Sequence, residues 1–170
     1  MDKIKGVMKF FLMAVSIMSF ARIKAQDIYD FNSQSTMEDW FVVDDVVMGG
    51  RSSGGMQLSQ DGHAIFEGTV SLENNGGFSS VRYRFQRMDT GDHSVFKIRL
   101  RGDKKKYQFR VKSSLRERHS YVFEFGTNGQ WETIEIPFDA MYPSFLGMTL
   151  AMSNYPGQDL QECAFLISNK

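Results

Sequence analysis

The chain has 170 residues, and its 20 basic and 20 acidic side chains cancel to a formal charge of zero. That length suits one domain, and the charge balance excludes a generally basic nucleic-acid binder. Fifteen glycines, only three prolines and 14% aromatic residues favour strands and tight turns over helices, while a single cysteine excludes an internal disulfide.

Residues 1–25 read as a signal peptide. Lys3, Lys5 and Lys9 give a positive start, residues 10–21 form an apolar block broken by two serines, and Ala25 precedes the polar pair Gln26-Asp27. The block is too short to cross a bilayer comfortably, so no stable membrane span remains once the leader is cleaved. The expected location is therefore exported, periplasmic or extracellular. Two alternatives stay open, an uncleaved membrane anchor and a mitochondrial transit peptide. Asp2 and the block arrangement oppose the second. Residues 26–170 then form one domain with 15 basic and 19 acidic residues, a net charge of −4, which speaks further against nucleic acid as a partner.

Strand-like runs follow in quick succession. Residues 27–31 and 40–43 come first. Residues 56–59 and 63–66 flank the hairpin signal Gln60-Asp61-Gly62. Residues 69–72 lead into the turn Asn74-Asn75-Gly76-Gly77. Three longer runs, 78–86, 95–101 and 107–112, alternate apolar and basic residues with the period of a half-buried strand. Tyr121, Phe123 and Phe125 share a face in 120–125, Ile134, Ile136 and Phe138 alternate in 131–138, and a last run covers 163–167. Cys163 sits in that apolar run and reads as a small buried hydrophobe. About ten short strands with no convincing helix imply an all-β antiparallel sandwich or barrel.

Two glycine-rich blocks, residues 40–55 and 66–82, stand out. Paired glycines allow positive φ and close backbone approach, and Asp45, Ser52 and Asn75 are short polar residues able to bond nearby backbone. The blocks read either as turns that lock the sandwich or as one rim of a ligand or partner site. Neither is a phosphate loop, because no Gly-Lys-Ser/Thr follows. Arg82, Arg84, Lys97, Arg99, Arg101, Arg110 and Lys112 face outward on three strands, and they form one basic patch if those strands are neighbours. The candidate binding residues are therefore Asp45, Met48, Gly49, Gly50 and Ser52 of the first block, Asn75, Gly76, Gly77, Phe78 and Arg82 of the second, and Arg99, Arg101 and Arg110.

Taken together the blocks resemble the complex I intermediate-associated protein 30 family. Its pattern is a Trp, then Asp-x-Val-Met-Gly-Gly-x-Ser, then Gly-x-Val-Ser-x-x-Asn-Asn-Gly-Gly-Phe-x-Ser-x-Arg. These fall on Trp40, residues 45–52 and residues 68–82, with later matches at Arg101-Gly102-Asp103 and Ile136-Pro137-Phe138. The resemblance implies a galactose-binding-like jelly-roll sandwich and, from the family's namesake, a part in assembling respiratory complex I. Family members run on past the 165–167 strand into a Gly-Pro-Phe turn and a last strand. This sequence stops at Lys170, so either it is truncated or the edge so exposed is covered by something else.

No catalytic set emerges. His63, His93 and His119 lack metal-ligand spacing, no nucleophile elbow is present, and no cofactor motif appears. Asp44 and Asp45 are adjacent and would point to opposite faces of a strand, poor geometry for joint acid–base work. Arg101-Gly102-Asp103 reads as a hairpin turn. The expected function is a non-catalytic binding or assembly module for an unknown protein partner or glycan. The alternative is a carbohydrate-active enzyme of the cell envelope using Asp45 or Glu73.

Overall fold

A computed structural model describes residues 25–168, so the proposed leader, apart from Ala25, lies outside the described residues. The described strands are β1 (Trp40–Asp44), β2 (Ser53–Leu58), β3 (Ala64–Thr69), β4 (Phe78–Asp89), β5 (Val95–Leu100), β6 (Lys106–Lys112), β7 (Ser120–Gly126), β8 (Glu132–Pro137), β9 (Tyr142–Phe145), β10 (Met148–Thr149) and β11 (Asp159–Ser168). Seven of them form one antiparallel sheet in the order β1-β4-β11-β6-β7-β9-β10. The pairs β2-β3 and β5-β8 lie over its inner face. Asp61-Gly62 closes the β2-β3 hairpin, with Gly62 at φ +77° as the turn requires.

The core fills the space between these layers. Trp40 stacks on Tyr83 with centroids 5.0 Å apart, and Tyr29 and Phe31 pack against Trp40 from the segment before β1. Phe96 of β5 meets Phe109 of β6, Phe138 and Tyr155. Ile136, Met141 and Leu160 are wholly buried. Cys163 joins this core as expected, and burial, reinforced by the nearby Glu162, pushes its thiol up to about 12. A thiol so hard to ionise is a packing element.

The alternation read from the sequence corresponds to real faces in β4, β6 and β7. Three features differ. Residues 27–31 form no strand. Their alternating Ile28, Tyr29 and Phe31 pack on the core without a backbone ladder. The 69–72 run is strand only at Thr69, because the chain must turn there toward Ser52. The hairpin β9-β10 escaped the sequence reading because Pro143 interrupts the pattern and its turn is Leu146-Gly147, at φ 51° and 79°, rather than a standard Asn-Gly. The run 163–167 is part of β11, which is paired on both sides, by β4 and β6. The two ends of the large sheet are β1 and β10.

Candidate functional site

One end of the sandwich is organised by a single carboxylate. Asp45 follows β1 in a short 3-10 turn and is fully buried. Its Oδ1 accepts the Ser52 N–H at 2.8 Å. Its Oδ2 accepts the Ser52 hydroxyl at 2.5 Å, the Gly77 N–H at 2.6 Å and the Phe78 N–H at 3.3 Å. Ser52 Oγ in turn accepts the Ser71 N–H at 3.0 Å. Burial alone would raise the Asp45 pKa. The Ser52 hydroxyl and the N–H groups of Gly77, Ser52 and Phe78 outweigh it and hold the carboxyl at about 2. Three segments distant in sequence are thus tied to one anion. Asp44 points elsewhere and accepts the Gly54 N–H at 3.1 Å, so the two adjacent acids do separate work.

The glycines are explained by this anion. A Cβ on Gly50 would lie 2.3 Å from Asp45 Cγ, and one on Gly76 would lie 2.5 Å from Asp45 Oδ2. Gly49 differs: it has open space around it but sits at φ +90°. Gly49→Val is therefore a nearly pure backbone test. It should lower stability by about 1 kcal/mol or more in chemical denaturation, and an unchanged midpoint would contradict the strained turn.

The same network pushes apolar side chains outward. Val46 is 60% exposed, Met48 54% and Leu72 61%, while Arg51 pairs with Glu73 at 2.7 Å. Apolar residues of this size standing together in solvent are features of contact surfaces. They form the rim.

Beside the rim lies the outer face of the large sheet. Ser80 Oγ donates to the Val43 carbonyl at 3.0 Å and accepts from Arg82 Nε at 3.3 Å, which links β1, the rim strand, to the face. Arg84, Glu162 and Lys112 stand in register on β4, β11 and β6. Glu162 is only 3% exposed, and Arg84 Nε reaches it at 2.6 Å, whereas Arg82 stays 3.8 Å away. Burial lowers the pKa of Arg82, Arg110 and Lys112. Glu162 opposes this for each of them, while neighbouring arginines add to it. The face is a cluster of cations around one buried carboxylate.

The single basic patch expected from the sequence divides in two. β5 pairs with β8 in the other layer, so Lys97, Arg99 and Arg101 are separated from Arg82, Arg84, Arg110 and Lys112. The chain crosses between layers at 101–105, a step that strand alternation does not reveal. Arg99 and Arg101 instead lie over the Trp131 ring at 4.6 and 5.8 Å. Of the other candidates, Asp45, Gly50, Ser52, Gly76 and Gly77 are buried and shape the rim from within. Met48 and Gly49 are exposed, and Phe78, Arg82 and Arg110 are half-buried. The Asn75 side chain lies outside the described positions. Val46, Leu72, Ser71 and Glu162 were not singled out by sequence. A lone acid among the apolar residues of 160–167 was the available signal for Glu162. Among the described residues no group of three or more potential ligands gathers as a metal site, and no helix is long and apolar enough to cross a membrane.

This arrangement of sheets is a galactose-binding-like jelly-roll module. The chain belongs to the complex I intermediate-associated protein 30 family, whose sequence profile matches residues 29–170. The mouse (Mus musculus) protein named complex I intermediate-associated protein 30, mitochondrial, is 26% identical over 146 residues, which take in 73% of this chain and 44% of the mouse protein. The chain thus spans less than half of that relative's length. Two structures from Clostridium thermocellum superpose with a TM-score of 0.58 at 15% identity. One is a family 11 carbohydrate-binding module in complex with a β-1,3-1,4-mixed-linked tetrasaccharide, matched over 81% of this chain and 84% of that chain. The other is the family 11 module of the cellulosomal cellulase Lic26A-Cel5E, matched over 81% and 83%. At that identity the likeness is one of fold.

Proposed function

We propose that the chain is a non-catalytic binding or assembly module that recognises a protein partner or a glycan through the glycine-rich rim and the basic sheet face. One observation carries this reading. Asp45, the strongest candidate for a catalytic acid, is buried and occupied by four donors, while the network it anchors holds Val46, Met48 and Leu72 in solvent. Glu73, the other candidate acid, is exposed and paired with Arg51. A protein partner agrees with the mouse relative's name, which associates it with a complex I intermediate, and a glycan with the tetrasaccharide bound by the first structural neighbour.

The reading is tested by two measurements. Incubation with a panel of glycosides and polysaccharides should give no product, and turnover lost in Glu73→Gln would establish an enzyme instead. Saturable association with native extract should be lost in Met48→Glu with the melting temperature held within about 2 °C, as befits an exposed position. Export of a single domain beginning at Gln26 is part of the proposal. Mass spectrometry of the mature N-terminus should find Gln26, and an intact Met1 on the mature protein would overturn that part.

A further inference from the structure

Reading the strand registers across the large sheet gives one continuous row on its outer face: Phe41, Arg82, Ala164, Arg110, Val122 and Tyr142, each opposite the next. At about 4.8 Å per strand the row runs roughly 24 Å, and its two arginines rise about 10 Å apart on either side of Ala164. Ala164 and Val122 are buried, so the two guanidinium groups, and not the residues between and beside them, face an arriving ligand.

Those groups share a single, mostly engaged counter-charge, the carboxylate of Glu162. Among the described residues the Arg110 side chain makes no hydrogen bond or ion pair. Arg82 has only Ser80 and a distant Glu162, because Arg84 already holds that carboxylate at 2.6 Å. Half-buried cations that repel each other are an unfavourable arrangement in isolation, and an arriving anion relieves it. Planar guanidinium forks favour carboxylates, which accept two parallel N–H donors.

We propose that this row docks an extended, carboxylate-rich segment of a partner protein, laid across the strands with a carboxylate at the Arg82–Arg110 pair. The proposal deepens the binding-module reading and rests on it. One observation favours a peptide over an acidic glycan. The aromatic rings ending the row offer no free platform for a sugar ring, since Arg84 covers Phe41 at 4.7 Å and Tyr142 is half-buried beside Glu124. A row of about 24 Å accommodates about seven extended residues. Residues 26–170 carry a net charge of −4, so this face is a local positive field able to steer such a segment.

The experiment is a titration of the full chain, observed by backbone amide shifts, with a capped peptide of alternating Glu and Ala about seven residues long, matched to the row. The expected result is saturable shifts at Arg82, Ala164, Arg110 and Val122. Arg110→Gln should weaken binding about tenfold, the share of one charge-assisted contact, with no loss of melting temperature because an unpaired cation has been removed. Arg82→Gln should act in the same direction, and Lys104→Gln on a distant turn should leave binding unchanged. Oligogalacturonate of equal carboxylate content should bind more weakly. Absence of shifts on this row, an unaltered affinity in Arg110→Gln, or tighter binding of oligogalacturonate would overturn the proposal. Loss of extract binding in Met48→Glu is scored separately, so a failed peptide titration leaves the wider reading standing.

Discussion

Asp45→Asn should lower the melting temperature by about 10 °C, more than any other single polar replacement in the chain. An asparagine has one acceptor oxygen where the aspartate has two. Whichever way its amide is turned, the NH2 faces a fixed backbone N–H, that of Ser52 at one oxygen or of Gly77 at the other. The backbone cannot rotate away as a hydroxyl could. The loss should be local as well as global, with faster hydrogen exchange at the Ser52 and Gly77 amides than at those of β6. The pH dependence has a definite sign. The folded carboxyl titrates at about 2, below its ordinary value of 3.8, so the native state binds fewer protons than the unfolded chain. Its contribution is complete above about pH 4 and is lost as the pH falls through about 2. Wild-type stability should therefore drop across that window, and Asp45→Asn should flatten the drop. A variant melting within about 2 °C of wild type, with the Ser52 amide still protected, would show that the anion does not hold the loops.

Gly50→Ala should cost about 3 kcal/mol, because the new methyl would enter the space of a carboxylate that four donors hold in place. A flexible neighbour would swing aside; this one gives way only by breaking its hydrogen bonds. Gly55→Ala is the matched control. It lies in β2 with nothing within 4 Å of the added atom, and alanine suits a strand interior better than glycine. Urea midpoints should fall sharply for the first variant and hold or rise for the second. Equal effects would mean that β2 and its approach merely dislike any side chain.

Much of this molecule was legible in the sequence wherever local alternation and burial coincide. β4, β6 and β7 announce their inner faces through Val81, Tyr83, Phe109, Val111, Tyr121 and Phe125, and the family motif gave the jelly roll. The motif also pointed to Asp45, Ser52 and the glycines, but as a rim that touches a ligand. Their burial makes them the frame of that rim, a distinction that depends on which way Asp45 turns at the end of β1. The basic residues divide between two sheets for a different reason. Strands adjacent in sequence change layers in a sandwich, so Arg99 and Arg110 are close in the chain yet on separate sheets. The row through Ala164 and Arg110 is invisible without registers, since it draws one residue from each of six strands.

Site-specific photocrosslinking, in cells that make the protein naturally, decides whether the rim is a contact surface. A photoreactive residue at position 48 or at position 72 should give discrete adducts, and the same residue at position 104 should give none. Adducts absent at both rim positions, or equally abundant at position 104, would contradict a binding module organised around Asp45.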